Sequence, residues 1–515
     1  MNYQSINRRD FLRLSGLGTA AVFGGSLSSL LSACTDISAA AGLSVNENFT
    51  PDVEIALHAA PTEVAILPGQ KTRVWQYQGE VLGGDVNALQ VIPNSYLGPI
   101  IRVQRGQKVR VQFTNDLSEP SIIHWHGLHV PEAADGHPCL AIDPGETYTY
   151  EFTVADRAGT YWFHPHPHGR TGPQVYNGLA GLFIVSDAEE QALGLPSGEY
   201  DLPLVIQDRL FDGDNQLVYG GNGMMDQMMG FLGNRLMING QVDFTLPVAT
   251  RPYHLRLLNG SNSRIYKLAW EDGTPLTVIG SDGGLLEQPL VKNSVTLAPA
   301  QRLELWVDFS GRAVGDQLRL INLPSAAPDG GAVFPVLNVQ VERQEQASET
   351  LPAQLSKISG YSENDAVNSN SPRAFTMAMG MGMRWTINGR TFSMNEVDRD
   401  EVVKLGDLEM WQFTNQSGGG TGMMGGTALP HPMHIHGLQF QIVSREIDSS
   451  GRSDWETLSD GFVDDGWHDT VLVLPGERVK ILLKFEDYEG LYLYHCHNLE
   501  HEDMGMMRNF EIQAT

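Results

Sequence analysis

The chain has 515 residues, with 61 acidic against 34 basic side chains and a formal net charge of −27. That length exceeds what one hydrophobic core organises and sets an expectation of about three domains, while the charge excludes nucleic acid as a partner and enriches cations near the surface. With only Cys34, Cys139 and Cys496 present, no disulfide framework is available and stability must rest on packing.

In chain order, residues 1–34 read as an address. Arg8-Arg9 stands ahead of a Gly/Ser-softened apolar stretch from Leu14 to Ala33, the pattern of a twin-arginine signal for the Tat export machinery. Leu31-Ser32-Ala33-Cys34 has the form of a lipoprotein processing site, after which Cys34 would carry a lipid; a leader-peptidase cut near Ala39-Ala40-Ala41 is the rival. The expectation is a periplasmic or envelope protein whose only membrane contact is that lipid, because no other segment approaches 18 uninterrupted apolar residues.

An internal repeat follows. Gly106–Asn115 (GQKVRVQFTN) resembles Gly406–Asn415 (GDLEMWQFTN), and Asp143-Pro144-Gly145-Glu146 has counterparts in Leu474-Pro475-Gly476-Glu477 and Leu297-Ala298-Pro299-Ala300. Each copy alternates apolar and polar residues at period two, as half-buried strands do. The reading is all-β, three Greek-key β-sandwich domains at 50–190, 200–345 and 375–515, joined by a polar linker at 346–374. The middle copy has no histidine where the outer copies have theirs, so it is expected to act as a spacer.

The histidines cluster. Thirteen of sixteen fall in the windows 124–137, 164–168, 431–436 and 495–501, together 32 residues, which scattered core or surface histidines do not explain. His124-Trp125-His126 and His164-Pro165-His166 place two imidazoles on one face of an extended chain. In His495-Cys496-His497 the thiolate points opposite to both histidines, so one strand can join two metal sites through a few covalent bonds. A Cys with two His and a weak thioether is the ligand set of a blue-copper centre, and His501 and Met506, with a histidine from elsewhere, could complete it around Cys496.

HWHG, HPHPHG, HPMHIHG and HCHNLEHEDMGMM resemble the four copper-binding motifs of the multicopper oxidases, across nearly the whole chain after residue 34. The resemblance is strongest to three-domain bacterial laccases, copper-efflux oxidases and bilirubin oxidases. It implies three cupredoxin-like domains and four copper ions: one type 1 held by His431, Cys496 and His501 with Met506 axial, one type 2 held by His124 and His434, and two type 3 held by His126, His164, His166, His436, His495 and His497. It also implies that four one-electron oxidations are coupled to reduction of O2 to two waters, with Asp135 and Glu502 passing protons. Without the resemblance, Asp135 reads as a turn residue before Gly136 and Glu502 as a solvated carboxylate.

The remaining residues point less sharply. His129, His137 and His168 read as surface or supporting histidines, with His168 able to orient a ligand; Trp125 and Trp162 read as packing, and Cys139 as a small buried hydrophobe. Met224–Met229, the alternating Met377 to Met383, and Met423-Met424 suit either Cu(I) or core packing. The long Met/His-rich insertion of copper-efflux oxidases is missing. The small reducing substrate is therefore expected to be a phenol, aromatic amine or pigment, with a reduced metal ion (Cu(I), Fe(II) or Mn(II)) as the alternative, and a non-enzymatic envelope or cell-division scaffold as the reading from another class.

Overall fold

The computed structural model describes residues 46–326, 332–380, 382, 384–416 and 429–514. The twin-arginine segment, Cys34, Met381, Met383, Met423 and Met424 lie outside the described residues. Strands dominate and the helices are short; among the described residues no helix is long and apolar enough to cross a membrane.

Six sheets pair face to face around three cores. The first core is built by alternation: in Val53–Val64 the residues Val53, Ile55, Leu57 and Ala59 point inward, and in Lys108–Asn115 so do Val109, Val111 and Phe113. These strands pair in parallel, Val53 opposite Val109, and face a second sheet whose Ile101, Phe163 and Phe183 complete the core. The same plan recurs around Leu257, Leu268 and Val339, and again around Trp411, Phe413 and Tyr494. These are cupredoxin-like sandwiches, and the fold is all-β as expected.

One side chain recurs in all three. Asn115, Asn259 and Asn415 each end a core strand and donate from Nδ2 to two backbone carbonyls, of Glu119 and Ile142, of Arg264 and Leu297, and of Leu429 and Val473. Each pins the crossover that follows its strand, because buried carbonyls left without a donor are costly. Residues 344–372 carry only the 3-10 turn Glu363–Asp365. This stretch is nevertheless tied down, since Leu355 is buried among Leu195, Ile279, Leu285 and Trp306, and the Ser356 hydroxyl donates to the Leu286 carbonyl at 3.0 Å.

Strand register carries the histidines to one place. Ile123–His126 pairs antiparallel with Gly159–Pro165, putting His124 opposite His164. His431–Ile435 pairs antiparallel with Gly490–Cys496, putting His434 opposite His495 and Met433 opposite Cys496. The middle domain is more than a spacer. It sends the Met228 carbonyl to His501 and the Arg302 guanidinium to Asp469, beside the histidine cluster.

Candidate metal centre

Two groups of donors form, both fully buried. In the first, Cys496 Sγ lies 3.5 Å from His431 Nδ1 and 3.7 Å from His501 Nδ1, and the two nitrogens are 3.3 Å apart. The middle of that triangle is about 2 Å from each corner, the length of a bond from a first-row metal to nitrogen or sulfur. Met506 is buried beside it, its amide donating to the His501 carbonyl at 2.9 Å and its carbonyl accepting from the Cys496 amide at 3.0 Å. The Asn498 amide points at Sγ from 3.4 Å.

The second group draws on all four windows. His124 Nε2 and His434 Nε2 are 3.3 Å apart; His166 Nε2 and His436 Nε2 lie 3.3 and 3.1 Å from His495 Nε2; His164 Nε2 is 3.4 Å from His497 Nε2. His126 joins His124 and His164.

The hydrogen bonds on the far sides of the rings decide what these contacts are. The Nδ1 atoms of His124, His434, His164 and His495 face backbone carbonyls, of Asp135 at 2.7 Å, Asp469 at 2.8 Å, Pro165 at 2.9 Å and Cys496 at 3.2 Å. A carbonyl only accepts, so each Nδ1 carries the proton and each Nε2 is a bare lone pair. His436 Nδ1 likewise faces Asp135 Oδ2 at 2.7 Å. The His124–His434 and His436–His495 contacts therefore set lone pair against lone pair, repulsive until a cation sits between them. In His126 and His501 the roles reverse. Their Nε2 atoms meet Asp469 Oδ1 at 2.9 Å and the Met228 carbonyl at 3.0 Å, which leaves Nδ1 as the donor.

Protonation agrees. Burial holds His124, His126, His431, His434, His436 and His497 well below the ordinary imidazole value, His164 down to about 4, and His166 and His501 down to about 3. Neutral imidazoles are what a metal ion needs. Burial also pushes the Cys496 thiol up, so this thiolate forms when a cation takes the proton's place. The donor set, soft sulfur with borderline nitrogen, fits copper.

Two acids flank the cluster in opposite states. Asp135 is fully buried, with Oδ1 left without a partner; burial, with Glu132 adding to it, raises its carboxyl well above the usual range. It also ends the helix Glu132–Asp135 before Gly136, whose φ of 83° and whose Cβ position 2.0 Å from the Ile123 carbonyl oxygen admit only glycine. The turn and the site thus share this residue. Glu502 is buried, not a solvated surface carboxylate. Burial pushes it up, but His495 Nδ1 at 3.2 Å and His166 Nε2 at 3.6 Å more than offset that and hold it at about 2.

Comparison with known proteins gives the family. Multicopper oxidase family models match residues 74–190 and 366–515. Multicopper oxidase mco of Staphylococcus aureus is 32% identical over 81% of this chain and 82% of its own length. The chain belongs to the multicopper oxidase family. A laccase of Bacillus stratosphericus is 31% identical, covering 86% of this chain and 91% of its own. The crystal structure of the McoA multicopper oxidase from Aquifex aeolicus superposes with a TM-score of 0.76 at 34% identity, over 90% of this chain and 97% of that one. As a multicopper oxidase the chain is a copper oxidoreductase.

The remaining histidines take structural places. His137 is buried between Asn509 Oδ1 and the Cys139 amide, and His129 lies near Asp487. His168 is exposed and packs at a tilt against Phe392. Trp125 is core, whereas Trp162 packs directly on His126, His164 and His497. Cys139 is half-buried at the edge of the first core. Met377 is core, and Met224 and Met225 are exposed. Sequence reasoning missed Asp469, Arg302 and Trp385, whose ring packs on His431 and His501. Asp469 left one trace, an acid opening the apolar run Val471–Leu474.

Proposed function

We propose that this multicopper oxidase holds four coppers and couples four one-electron oxidations of a small donor to reduction of O2 to two waters. His431, Cys496 and His501, together with Met506, would hold the type 1 ion. His124 and His434 would hold type 2, while His126, His164 and His497 on one side and His166, His436 and His495 on the other would hold the type 3 pair. When bound, the copper ions supply the one-electron redox chemistry and the O2 reactivity. The observation that carries this reading is the pair of facing Nε2 lone pairs, His124 with His434 and His436 with His495, which has no use without cations.

The chain's own residues do the rest. Cys496 is bonded through its backbone to both His495 and His497, a covalent bridge between the two donor groups. Asp135, whose protonated form burial favours, donates protons on the His124 and His436 side. Glu502, whose carboxylate lies 3.2 Å from His495 Nδ1, sets the field beside that ring. The donors are phenols, aromatic amines or pigments, as for a laccase. One observation favours a second reading, a reduced metal ion: the Met228 carbonyl occupies His501 Nε2, and Trp385 Nε1 donates to that same carbonyl at 3.1 Å. The helix Met224–Met229 therefore covers the edge through which a bulky donor would touch His501. Export by the twin-arginine route and a lipid on Cys34 complete the proposal; loss of membrane attachment in Cys34→Ala cells would test the anchor.

The deciding experiment is oxygen uptake by copper-loaded protein with a dimethoxyphenol and, in parallel, with Cu(I), using Cys496→Ser as control. Cys496-dependent uptake with the phenol supports the laccase reading, and strong preference for Cu(I) supports the second. No uptake by fully loaded protein sinks both.

A further inference from the structure

Arg302 comes from the middle domain, which supplies none of the candidate copper ligands, yet it is buried against all three domains. All five of its N–H donors are used. Nε donates to the Thr160 carbonyl of the first domain at 2.9 Å, Nη1 to the Ala300 carbonyl and to Asp469 Oδ1, both at 2.9 Å, and Nη2 to the Asp282 carbonyl at 3.0 Å and to Asp469 Oδ2. Asp469 belongs to the third domain, so the bidentate pair locks its carboxylate in one plane. Asp282 Oδ1 in turn accepts from the Arg302 amide at 2.8 Å.

Two backbone features are shaped around this clamp. Ala300 sits at φ 71°, a left-handed value that the other two copies of the repeat meet with glycine, at Gly145 and Gly476; alanine there costs about 1 kcal/mol, and the Arg302 bond to its carbonyl holds it. Gly127, directly after His126, lies so close that a Cβ would fall 2.5 Å from Asp469 Oδ2 and 2.8 Å from Arg302 Nη2. Those side-chain ends are not free to move aside, because each is held by several hydrogen bonds.

The locked carboxylate faces His126 Nε2 at 2.9 Å and also accepts from the Thr470 hydroxyl at 2.9 Å, while the Asp469 carbonyl takes His434 Nδ1. We propose that Arg302 and Asp469 are positioning residues: the Arg302 clamp fixes the Asp469 carboxylate so that His126 carries its proton on Nε2 and presents Nδ1 to the cluster, making the middle domain a determinant of one type 3 site. Across the five cluster histidines whose Nδ1 meets an oxygen, Nε2 is the metal-facing atom; His126 is turned the other way, and Asp469 is what turns it. A carboxylate that accepts the imidazole N–H also strengthens the lone pair on the opposite nitrogen.

The inference rests on the four-copper reading, and the test separates the two. Full-length wild type, Asp469→Asn and Arg302→Lys are loaded with copper, then challenged with graded chelator. Retained copper is counted by mass spectrometry, the type 1 site is followed by its thiolate-to-copper colour, and uncoupling of the type 3 pair is followed by EPR. In Asp469→Asn an amide N–H can face Nε2 and favour the wrong tautomer. The expectation is that both variants release one copper at about 10- to 100-fold lower chelator, with new EPR-visible copper and the colour intact. Variants that hold copper as wild type does, or that lose the colour together with the rest, overturn the proposal. Wild type that takes up no copper removes the oxidase reading and this inference with it.

Discussion

Asp135→Asn separates proton supply from every other requirement of the site. The substitution keeps size and keeps an oxygen for His436 Nδ1, now 2.7 Å from Oδ2, and it leaves untouched the Asp135 carbonyl that orients His124. What it removes is the exchangeable proton whose retention on this carboxyl burial favours. General acid catalysis by one positioned group contributes about 100- to 10,000-fold, so kcat for oxygen uptake should fall by that factor, about 3 to 5.5 kcal/mol at roughly 1.4 kcal/mol per decade. Copper content and the rate of anaerobic reduction of the Cys496 site by donor should stay at wild-type values, because neither involves the proton. Wild-type activity should decline as rising pH ionises Asp135, at a pH above the ordinary carboxylate range, and the variant's low activity should lack that limb. Steady-state oxygen electrode traces and anaerobic stopped flow on the same preparations read both. An Asn variant within threefold of wild type, or one that loses copper, would refute the assignment.

Other outcomes follow from the same geometry. Gly136→Ala forces a side chain into a φ of 83° with its Cβ 2.0 Å from the Ile123 carbonyl oxygen, and should cost at least about 2 kcal/mol in urea unfolding of the first domain; wild-type stability would contradict the structure. Asp156 is pushed up to about 7 by burial, only partly offset by the His129 amide. The folded state therefore binds an extra proton between about pH 4 and 7, so stability falls as pH rises through that window, by about 2–4 kcal/mol from this group. Asp156→Asn should flatten that slope in denaturant titrations at pH 5 and 8, and an unchanged slope would count against it. Removing copper with a reducing chelator should lower the melting temperature. Restoring copper at 1,000 times its dissociation constant should return about 4 kcal/mol per site, and a melting temperature indifferent to copper would argue that the lone-pair clusters are not metal sites.

Much was legible in the chain because its signals are local. Period-two alternation in GQKVRVQFTN and GDLEMWQFTN marks half-buried strands, and a strand's facing depends on its own residues; the all-β, three-sandwich plan follows. His-x-His spacing and the alternation of His495, Cys496 and His497 are equally local, since extended backbone sends i and i+2 to one face. These patterns singled out the four windows before any of them could be placed side by side. Sequence also named Asp135 and Glu502, but only by resemblance, and could not weigh them against a turn residue and a surface carboxylate.

Only the tertiary structure decided what depends on residues hundreds of positions apart. The opposite protonation of Asp135 and Glu502 comes from burial shared by both and from the imidazoles His495 and His166 beside one of them. Which nitrogen is bare in His124, His434, His164 and His501 depends on the Asp135, Asp469, Pro165 and Met228 carbonyls that their far sides meet. The part played by the middle domain was invisible for the same reason: Arg302 sits in a repeat copy stripped of histidines, and nothing near it in the chain announces that its guanidinium will close on Asp469, 167 positions away. Local periodicity writes the strands and the ligand pairs; long-range packing alone sets the field and the proton positions on which their chemistry turns.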